Sequence, residues 1–304
     1  MSSKFQVPGS KSPRFADLTT FRIGGPCREF IDCKTADELG AAVRELAARN
    51  ENFFLIGGGS NLLVSDRGLD SVVVRFANSE PEIRIENDEI IVSAATALDD
   101  LARFSVENGI AGFACCSGIP GTVGGAIAGN AGAFGEQIGD LLISVSLLDH
   151  RGGERIVAAG ELGFAYRHSR LQETSDIVLS ARLRAARGDA GALRARRDEI
   201  MAIRVAKHPD WHVTPTAGSF FKNIEPTSKA ERRQAAGWFL EQAGAKNLRV
   251  GGARPFDKHA NIIVADPGCT ARDVLELSKQ MAALVRGKFG FDLQREVRLV
   301  GDFG

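Results

Sequence analysis

Two glycine-rich segments and a few polar side chains carry the residue types with which this chain could do chemistry. The first segment is Gly57-Gly58-Gly59-Ser60-Asn61, directly after an apolar run, and the second extends from Ser117 to Ala126. Glycine allows a backbone to approach a ligand closely and to adopt positive φ. Consecutive N–H groups in such turns form concavities that suit anions, above all phosphates. Two such segments in one chain predict a long ligand with two charged groups, such as a dinucleotide cofactor.

Neither segment matches a standard nucleotide motif. Gly57 and Gly59 would begin a G-x-G-x-x-G fingerprint, but Leu62 occupies the position of its third glycine, and G-x-x-x-x-G-K-[ST] does not occur. The alternative is that both segments are tight turns and close helix contacts without a ligand. Because two of them occur in one chain, the sequence favours a cofactor site.

The segment around Ser219 is the most suggestive polar cluster. This serine lies between Gly218 and the aromatic pair Phe220-Phe221, and Lys222 and Asn223 follow with a positive charge and an amide for an anionic ligand. A serine is not a nucleophile without an adjacent base, and no G-x-S-x-G elbow is present. The residues alone favour a structural serine, with an oriented hydroxyl that donates a proton as the alternative.

Two further segments contain candidate charged groups. Arg167 follows Tyr166, the only tyrosine, and is a candidate to stabilise an oxyanion, although a surface arginine in a loop fits equally well. Glu296 shares one face of a predicted final strand with Gln294 and Arg298, because side chains alternate along a strand. A solvated or salt-bridged carboxylate is the favoured interpretation of Glu296.

Composition limits the classes of function. The 304-residue chain has 38 Lys+Arg and 38 Asp+Glu, so its formal net charge is +0 and no global field favours nucleic acid or an anionic membrane. No apolar run approaches the roughly 18 residues of a transmembrane helix, and residues 1–15 lack the apolar core of a signal peptide. The sequence predicts a cytoplasmic globular protein that binds neither nucleic acid nor membranes.

Cysteines and histidines show no metal or disulfide pattern. The five cysteines contain no C-x-x-C pair, and no cluster of His, Cys, Asp and Glu has the spacing of metal ligands, so no metal site is predicted. Cys115 and Cys116 are interpreted as small buried apolar residues in preference to a redox pair. His259 fits the binding of a ligand phosphate and the capping of a turn equally well.

Hydrophobic periodicity predicts the elements that position these groups. Apolar residues at helical spacing predict a helix over 36–49, with Thr35 as N-cap and Glu38 completing a capping box. Further helices are predicted over 98–107, 193–207, 235–243 and 271–286, and extended segments over 53–56, 72–74, 83–85, 90–92, 141–148, 177–183, 219–222, 261–264 and 293–300. This mixed order predicts an α+β fold.

One segment between these elements and one helix face are interpreted from composition. Residues 185–192, rich in Ala, Gly and Arg, are interpreted as a linker. The arginines of the helix over 193–207 are interpreted as a solvated face, and they are Arg194, Arg196, Arg197 and Arg204.

Several short motifs, taken in order, resemble those of one known family. They lie at residues 20–25, 57–63, 117–126, 130–132, 166–167, 217–223, 236–241, 258–261 and 289–301. Over nearly its whole length the chain resembles the UDP-N-acetylenolpyruvoylglucosamine reductase (MurB) family. The resemblance implies an FAD-binding domain of the p-cresol-methylhydroxylase type, with two α+β subdomains over 1–90 and 91–188. A smaller α+β substrate domain over 189–304 follows.

The family's reaction implies roles for three side chains. NADPH reduces non-covalently bound FAD and leaves, and hydride then passes to the enolpyruvyl group of the nucleotide sugar, which gives UDP-N-acetylmuramate for peptidoglycan synthesis. By the same resemblance, Arg167 grips the carboxylate and stabilises the enolate, Glu296 polarises the carboxylate region, and Ser219 donates the final proton. The implied substrate contacts are Tyr166, Lys222, Asn223 and His259.

The implied FAD contacts lie in and beside the two glycine-rich segments. They are Ile23, Gly57, Gly58, Gly59, Ser60, Asn61, Leu62, Ser117, Gly118, Ile119, Pro120, Gly121, Thr122, Gly124, Gly125, Ala126 and Asn130. The chain departs from the family at Cys115-Cys116, where apolar residues without thiols are expected, at Ile224, where proline is usual, and at Thr20, where asparagine is usual. With Tyr166 as its only tyrosine, it resembles the shorter subtype without the tyrosine-bearing insertion.

Two alternatives are weighed against the reductase. An oxygen-using oxidase on the same flavin fold predicts fast reoxidation by air and often a covalent flavin link, for which Cys115 or Cys116 is available. A non-catalytic sensor of nucleotide sugars would have lost at least one of Arg167, Ser219 and Glu296, and all three are present. The leading prediction is a monomeric reductase that uses FAD and NADPH on a small nucleotide sugar.

Overall fold

The computed structural model describes residues 13–225 and 233–304. These residues form two compact units, and each unit is built from separate stretches of the chain. The first unit comprises residues 29–58 and 71–204, and the second comprises 13–28, 59–70, 205–225 and 233–304. The predicted boundaries after residues 90 and 188 concern a finer division and stay predictions.

Five of the seven α-helices in the described residues lie close to predicted positions, whereas α1 and α4 were not predicted. The helices are α1 (Phe15–Leu18), α2 (Ala36–Ala48), α3 (Leu98–Glu107), α4 (Val123–Ala128), α5 (Ala190–Lys207), α6 (Ala236–Gln242) and α7 (Ala271–Phe289). The capping box of α2 is confirmed, because Thr35 Oγ1 accepts from the Glu38 N–H at 3.2 Å and Glu38 Oε2 accepts from the Thr35 N–H at 3.2 Å. The predicted linker is too long, since α5 already begins at Ala190, where Asp189 Oδ1 accepts the Ala192 N–H at 2.7 Å.

The strands are short and mostly antiparallel. They are β1 (Cys27–Cys33), β2 (Phe53–Ile56), β3 (Leu62–Val64), β4 (Leu69–Phe76), β5 (Ile83–Glu86), β6 (Glu89–Ser93), β7 (Gly132–Ala133), β8 (Glu136–Gln137), β9 (Leu142–Leu148), β10 (Glu154–Ala158), β11 (Ile177–Arg184), β12 (Thr216–Ser219), β13 (Ala253–Phe256), β14 (His259–Ala265) and β15 (Arg298–Val300). The predicted α+β class is confirmed.

The first unit contains an antiparallel five-stranded sheet of order β10-β9-β11-β6-β5 and the short hairpin β7-β8, and the three-stranded sheet β1-β4-β2 lies mostly within it. The predicted hairpin of β5 and β6 is confirmed, and its turn residues Asn87 and Asp88 have φ of 48° and 61°. Asn and Asp tolerate this left-handed backbone better than other residues, which explains their presence here. Apolar faces of α2, α3 and the sheets form one core, which includes Leu39, Leu101 and Val145.

The second unit contains the antiparallel sheet β12-β14-β13 and a parallel pair of β3 and β15. The strand predicted over 293–300 is shorter than expected, because residues 294–297 bond to an irregular segment instead of a regular ladder. The core of the second unit includes Phe220, Val274 and Met281. No helix within the described ranges combines the length and apolarity needed to cross a membrane.

Candidate active site

The two glycine-rich turns contact each other within the first unit. A Cβ on Gly58 would lie 2.8 Å from Gly121 Cα, and a Cβ on Gly57 would lie 2.5 Å from Thr122 Oγ1. Real Cβ atoms do not approach backbone atoms this closely, so only glycine allows the two turns to pack backbone against backbone. The close contact weighed in the sequence analysis therefore exists, and it joins the two segments at one place.

A partly buried ion pair holds the second turn. Asp99, on α3, accepts the Gly118 N–H at 2.7 Å and receives two bonds from Arg197 of α5, at 2.8 and 2.9 Å. Burial alone would raise the pKa of the Asp99 carboxyl, but the bonds from Arg197 and the Gly118 N–H and the nearby arginine charges lower it overall. Asp99 is therefore held ionised as the acceptor that shapes this turn.

The solvated-face interpretation of α5 is wrong for two of its arginines. The side chain of Arg197 is only 16% exposed. The side chain of Arg204 packs against Gly118, where an added Cβ would lie 2.9 Å from Arg204 Cδ. Burial lowers the pKa of Arg204, and the positive charge of Arg167 acts in the same direction. Arg204 and Arg167 are therefore within electrostatic range of each other in the first unit.

The second turn fits a ligand that brings its own polar atoms. Ser117 Oγ and Arg204 Nε are buried and have no hydrogen-bond partner in the described part of the chain, whereas buried polar atoms in proteins nearly always have one. Gly125 of α4 is exposed, and the nearest atom to a Cβ built there is Thr122 Oγ1 at 3.5 Å, an ordinary contact. A cofactor with polar atoms within reach of Ser117 Oγ and Arg204 Nε would supply the missing partners.

The N–H groups at the start of α4 are already used by the protein. Val123 N–H donates to Thr96 O and Gly124 N–H to Ala94 O, both at 2.9 Å, and Gly125 N–H donates to the N-cap hydroxyl of Thr122 at 3.3 Å. These donors are not available to a phosphate. Binding of an anion here would depend on the preceding turn and on Arg204.

Arg167 lies at a tight turn of the first unit. Ala165 and His168 exchange main-chain hydrogen bonds around it, at 3.0 and 3.1 Å, and its φ is 53°. Left-handed backbone at a bulky side chain is strained and often occurs at functional sites. Its Nη2 donates to Gly132 O at 2.8 Å, and its guanidinium lies 5.2 Å from the centre of the Tyr166 ring.

Buried Asn130 holds the Arg167 turn. Its Nδ2 donates to Ala165 O at 2.8 Å and to Gln137 Oε1 at 2.9 Å, and its Oδ1 accepts the Gly139 N–H at 3.1 Å. Both amide hydrogens are thus engaged within the protein. The predicted contact of Asn130 with the cofactor stays a prediction, and it would have to use the main chain.

Ser219 and Glu296 lie on bonded segments of the second unit. Glu296 N–H donates to Phe220 O at 2.9 Å, and Lys222 N–H donates to Gln294 O at 2.8 Å. The Asn61 side chain of the first glycine turn donates to Glu296 O at 3.1 Å. These bonds interrupt the strand predicted over 293–300 at residues 294–297, and they join the segment that follows Ser219 to the main chain around Glu296.

A second buried asparagine supports the Ser219 segment. Asn261 Oδ1 accepts the Phe221 N–H at 2.9 Å, and its Nδ2 donates to Phe221 O at 2.8 Å. His259 Nδ1 accepts the Asn261 N–H at 3.3 Å, and burial lowers the pKa of this imidazole. His259 therefore lies beside the serine segment as a mostly neutral ring.

Three other predicted residues have identifiable surroundings. Asn223 Oδ1 accepts the Ala236 N–H at 3.1 Å, a capping contact at the start of α6. Ile23 is buried in the core of the second unit, and Leu62 begins β3. Asp99, Arg197 and Arg204 are functional candidates that the sequence analysis missed, because no local motif marks them. In the described ranges, no group of three or more His, Cys, Asp and Glu could hold a metal.

Comparison with known proteins identifies the class of this protein. Residues 28–159 match an FAD-binding domain, and this range contains both glycine-rich turns. The chain is therefore an FAD-binding flavoprotein. Residues 208–300, which contain Ser219 and Glu296, match the C-terminal domain of UDP-N-acetylenolpyruvoylglucosamine reductase.

Full-length relatives show the family. The chain is 37% identical to the UDP-N-acetylenolpyruvoylglucosamine reductase of Heliobacterium modesticaldum over 94% of this chain and 88% of the relative. It is 38% identical to that of Gloeobacter violaceus over 93% of both chains. The crystal structure of this reductase from Thermus caldophilus superposes with a TM-score of 0.79 at 30% identity, covering 96% of this chain and 98% of the other. The chain belongs to the UDP-N-acetylenolpyruvoylglucosamine reductase (MurB) family, which confirms the resemblance.

Proposed function

We propose that this protein reduces the enolpyruvyl group of UDP-N-acetylglucosamine enolpyruvate to the lactyl ether of UDP-N-acetylmuramate, with NADPH as reductant and FAD as hydride carrier. The observation that carries the proposal is the match to reductases across both regions, the FAD-binding domain and the C-terminal domain. The reaction would supply a peptidoglycan precursor. We further propose that the protein acts as a cytoplasmic monomer.

The FAD site is assigned to the two glycine-rich turns. Ser117 Oγ and Arg204 Nε would pair with polar atoms of the cofactor, and the exposed Gly125 surface would accept it without a steric clash. When bound, FAD supplies the hydride chemistry, and the protein supplies position and electrostatics. The contacts proposed for Ile23, Ser60, Asn61, Leu62 and the remaining residues of the second turn follow from the family resemblance.

Arg167 and Glu296 are proposed to act on the substrate carboxylate. As hydride adds to the terminal carbon, negative charge spreads over the neighbouring carbon and the carboxylate. A guanidinium stabilises such charge most strongly where water is excluded. Its fixed turn, held by Asn130, would let Arg167 meet this charge without reorganisation. Glu296 would polarise the same carboxylate region.

Ser219 is proposed to donate the final proton. A hydroxyl is a weak acid, so it can protonate only a strongly basic carbon centre within hydrogen-bond reach. This explains how the reaction proceeds without a catalytic histidine. Tyr166, Lys222, Asn223 and His259 are the proposed substrate contacts, and Lys222 would attract the anionic substrate with its positive charge.

Anaerobic visible spectroscopy of the FAD-loaded protein tests this function. NADPH is added first, and UDP-N-acetylglucosamine enolpyruvate is added after the yellow band has bleached. We expect bleaching by NADPH and recovery of the band on addition of the substrate. Bleaching without recovery would contradict the substrate assignment and favour an oxygen-using oxidase, whereas absence of a flavin band after addition of FAD would contradict the cofactor site.

A further inference from the structure

Cys115 and Cys116 form a pair of adjacent thiols directly before the second glycine turn. Both residues are fully buried in the short 3₁₀ turn Ala114–Cys116, and their Sγ atoms lie 3.7 Å apart. The Cys115 thiol also donates to Gly112 O at 3.6 Å. The proposed reaction uses neither thiol. The sequence suggested only apolar filling, but the contact between the sulfur atoms makes the pair a potential bidentate ligand.

The sulfur–sulfur distance distinguishes two kinds of chemistry. In a disulfide the sulfur atoms must close to about 2.0 Å, and the Cα atoms of consecutive residues, about 3.8 Å apart, are closer than those of ordinary disulfides. Two sulfur atoms bound at about 2.3 Å, the length of a metal–thiolate bond, to one pyramidal trivalent centre stand about 3.5 Å apart, within a few tenths of an ångström of the observed contact. The observed 3.7 Å therefore suits a single bridging atom without backbone rearrangement.

Hydrogen bonding prepares one of the two sulfur atoms for attack. The bond from the Cys116 thiol lowers the pKa of Cys115, and the same bond raises the pKa of Cys116. The Ala133 N–H supports the lowered pKa of Cys115. Since the thiolate is the nucleophile and the ligand form, both thiols must lose their protons as the two bonds to the ligand form.

We propose that Cys115 and Cys116 are a bidentate binding site for trivalent arsenicals. In the reaction with R–As(OH)₂, two As–S bonds form, two As–O bonds and two S–H bonds break, and two water molecules leave. Arsenic stays trivalent throughout, so the exchange needs neither an oxidant nor a reductant.

The hairpin of β7 and β8 provides access and couples the site to its neighbours. It covers Cys115 through Ala133 and Glu136, and its ladder contains two residue pairs. Such a short hairpin opens at low free-energy cost. Its Gly132 O accepts the Arg167 side chain, and the second turn follows Cys116 directly. A bound arsenical is therefore expected to loosen FAD. The adduct itself does not depend on the proposed function, whereas this flavin response does.

The test uses the FAD-loaded protein and phenylarsine oxide. We expect one arsenical per chain by intact-mass measurement, located on the peptide that contains both cysteines and removed by 2,3-dimercaptopropanol but not by an equal concentration of a monothiol. Cys115→Ser and Cys116→Ser should each reduce adduct formation at least tenfold, whereas the matched variants Cys33→Ser and Cys269→Ser should retain it. Free flavin fluorescence should rise with adduct formation.

Several results would overturn the proposal. They are an adduct that persists in both single variants, an adduct on Cys33 or Cys269, and absence of an adduct on the folded wild-type protein. Loss of two hydrogens under peroxide without an arsenical adduct would assign the pair to disulfide chemistry instead. If a serine variant fails to fold, the wild-type peptide map decides, because attachment through one sulfur alone contradicts the bidentate site. An adduct without flavin release would leave the site standing and contradict only its coupling to FAD.

Discussion

The main chains that carry Arg167 and Ser219 are each held by a buried asparagine, but they differ in what else supports them. Ser219 ends β12, whose partner β14 also contributes Asn261, so a sheet supports the segment as well. Arg167 lies in a turn with left-handed backbone. Asn130, which donates to Ala165 O of this turn, itself has a left-handed φ of 44°. The serine segment is thus fixed by strand pairing and a side chain, whereas the arginine turn is held by one main-chain pair between Ala165 and His168 and by side-chain bonds, against the cost of left-handed backbone. The arginine turn should be the easier of the two to displace.

The largest effect is expected at Ser219, the proposed proton donor. Ser219→Ala should slow reoxidation of the reduced enzyme by the enolpyruvyl substrate by about 10²–10⁴-fold, the usual contribution of a positioned acid. Reduction by NADPH should be unchanged. Stopped-flow absorbance of each half-reaction measures both rates, with Ser71→Ala on β4 as the control. Equal slowing of the two half-reactions would contradict the role proposed for Ser219.

The next effect compares the two asparagines directly. Asn261→Ala should lower the free energy of unfolding by about 2–4 kcal/mol, because two buried main-chain groups of Phe221 lose their partner. Asn130→Ala should lower it by about 1 kcal/mol more, because left-handed backbone disfavours alanine. Urea unfolding of the FAD-loaded variants measures both changes.

The variant Asn130→Gly separates the cost of left-handed backbone from the cost of the lost hydrogen bonds. Glycine also loses the three hydrogen bonds of the amide but accepts a φ of 44°. It should therefore recover about 1 kcal/mol relative to Asn130→Ala. Equal unfolding free energies for the two Asn130 variants would mean that backbone strain does not distinguish the two regions.

A smaller effect concerns the ion pair that holds the second turn. Asp99→Asn should weaken FAD binding by about tenfold, since a charged hydrogen bond contributes about 1.5–3 kcal/mol and only part of it reaches the cofactor. Flavin fluorescence titration measures the affinity. Asp100→Asn is the matched control on α3, because its partner Arg103 belongs to the same helix face and is half exposed.

The pH dependence of Asp99 follows from its lowered pKa. A carboxyl whose folded pKa lies below the ordinary 3.8 stabilises the fold fully above that value and loses this contribution as pH falls through the folded pKa. The difference in urea midpoint between wild type and Asp99→Asn should be constant near pH 7 and shrink below about pH 4. A difference that persists undiminished at the lowest pH would contradict the charge-based account.

An effect of comparable size tests the contact between the two glycine turns. Gly58→Ala should destabilise the protein by about 1–3 kcal/mol, because its Cβ would meet Gly121 Cα. Gly287→Ala makes the same change at an exposed position of α7 with no atom within 4 Å. It should stabilise the protein by about 0.5–1 kcal/mol through helix propensity. Thermal unfolding of both variants measures the contrast, and a neutral Gly58→Ala would mean that the turns can separate without cost.

Much of the fold was predictable because local residues determine it. The capping box of Thr35 and Glu38, the end of α3 before Asn108-Gly109 and the hairpin turn at Asn87-Asp88 all depend on bonds between residues four or fewer positions apart. The final strand was the exception. Residues 294–297 alternate like a strand, but Asn61 and Phe220 bind their main chain and interrupt it.

The candidate site was predictable where the family motifs name it and unpredictable where distant partners decide. The motifs identified Arg167, Ser219 and Glu296, whose catalytic roles stay predictions. They did not identify Arg197 or Arg204, because a helical arginine has the same local sequence whether it faces solvent or packs against another element. Only the packing of α5 on α3 and the second turn distinguishes these cases.

By itself, the sequence determined the α+β class, most helix ends and the membership of a flavin reductase family. These features arise from short-range hydrogen bonds, hydrophobic period and motif order, which are present in the chain before it folds. The tertiary structure alone decided that the two glycine turns touch, that Asp99 meets Arg197, and that two neighbouring thiols face each other. Each of these depends on where side chains point or on segments far apart in the chain, and such contacts form only when the core has closed around them.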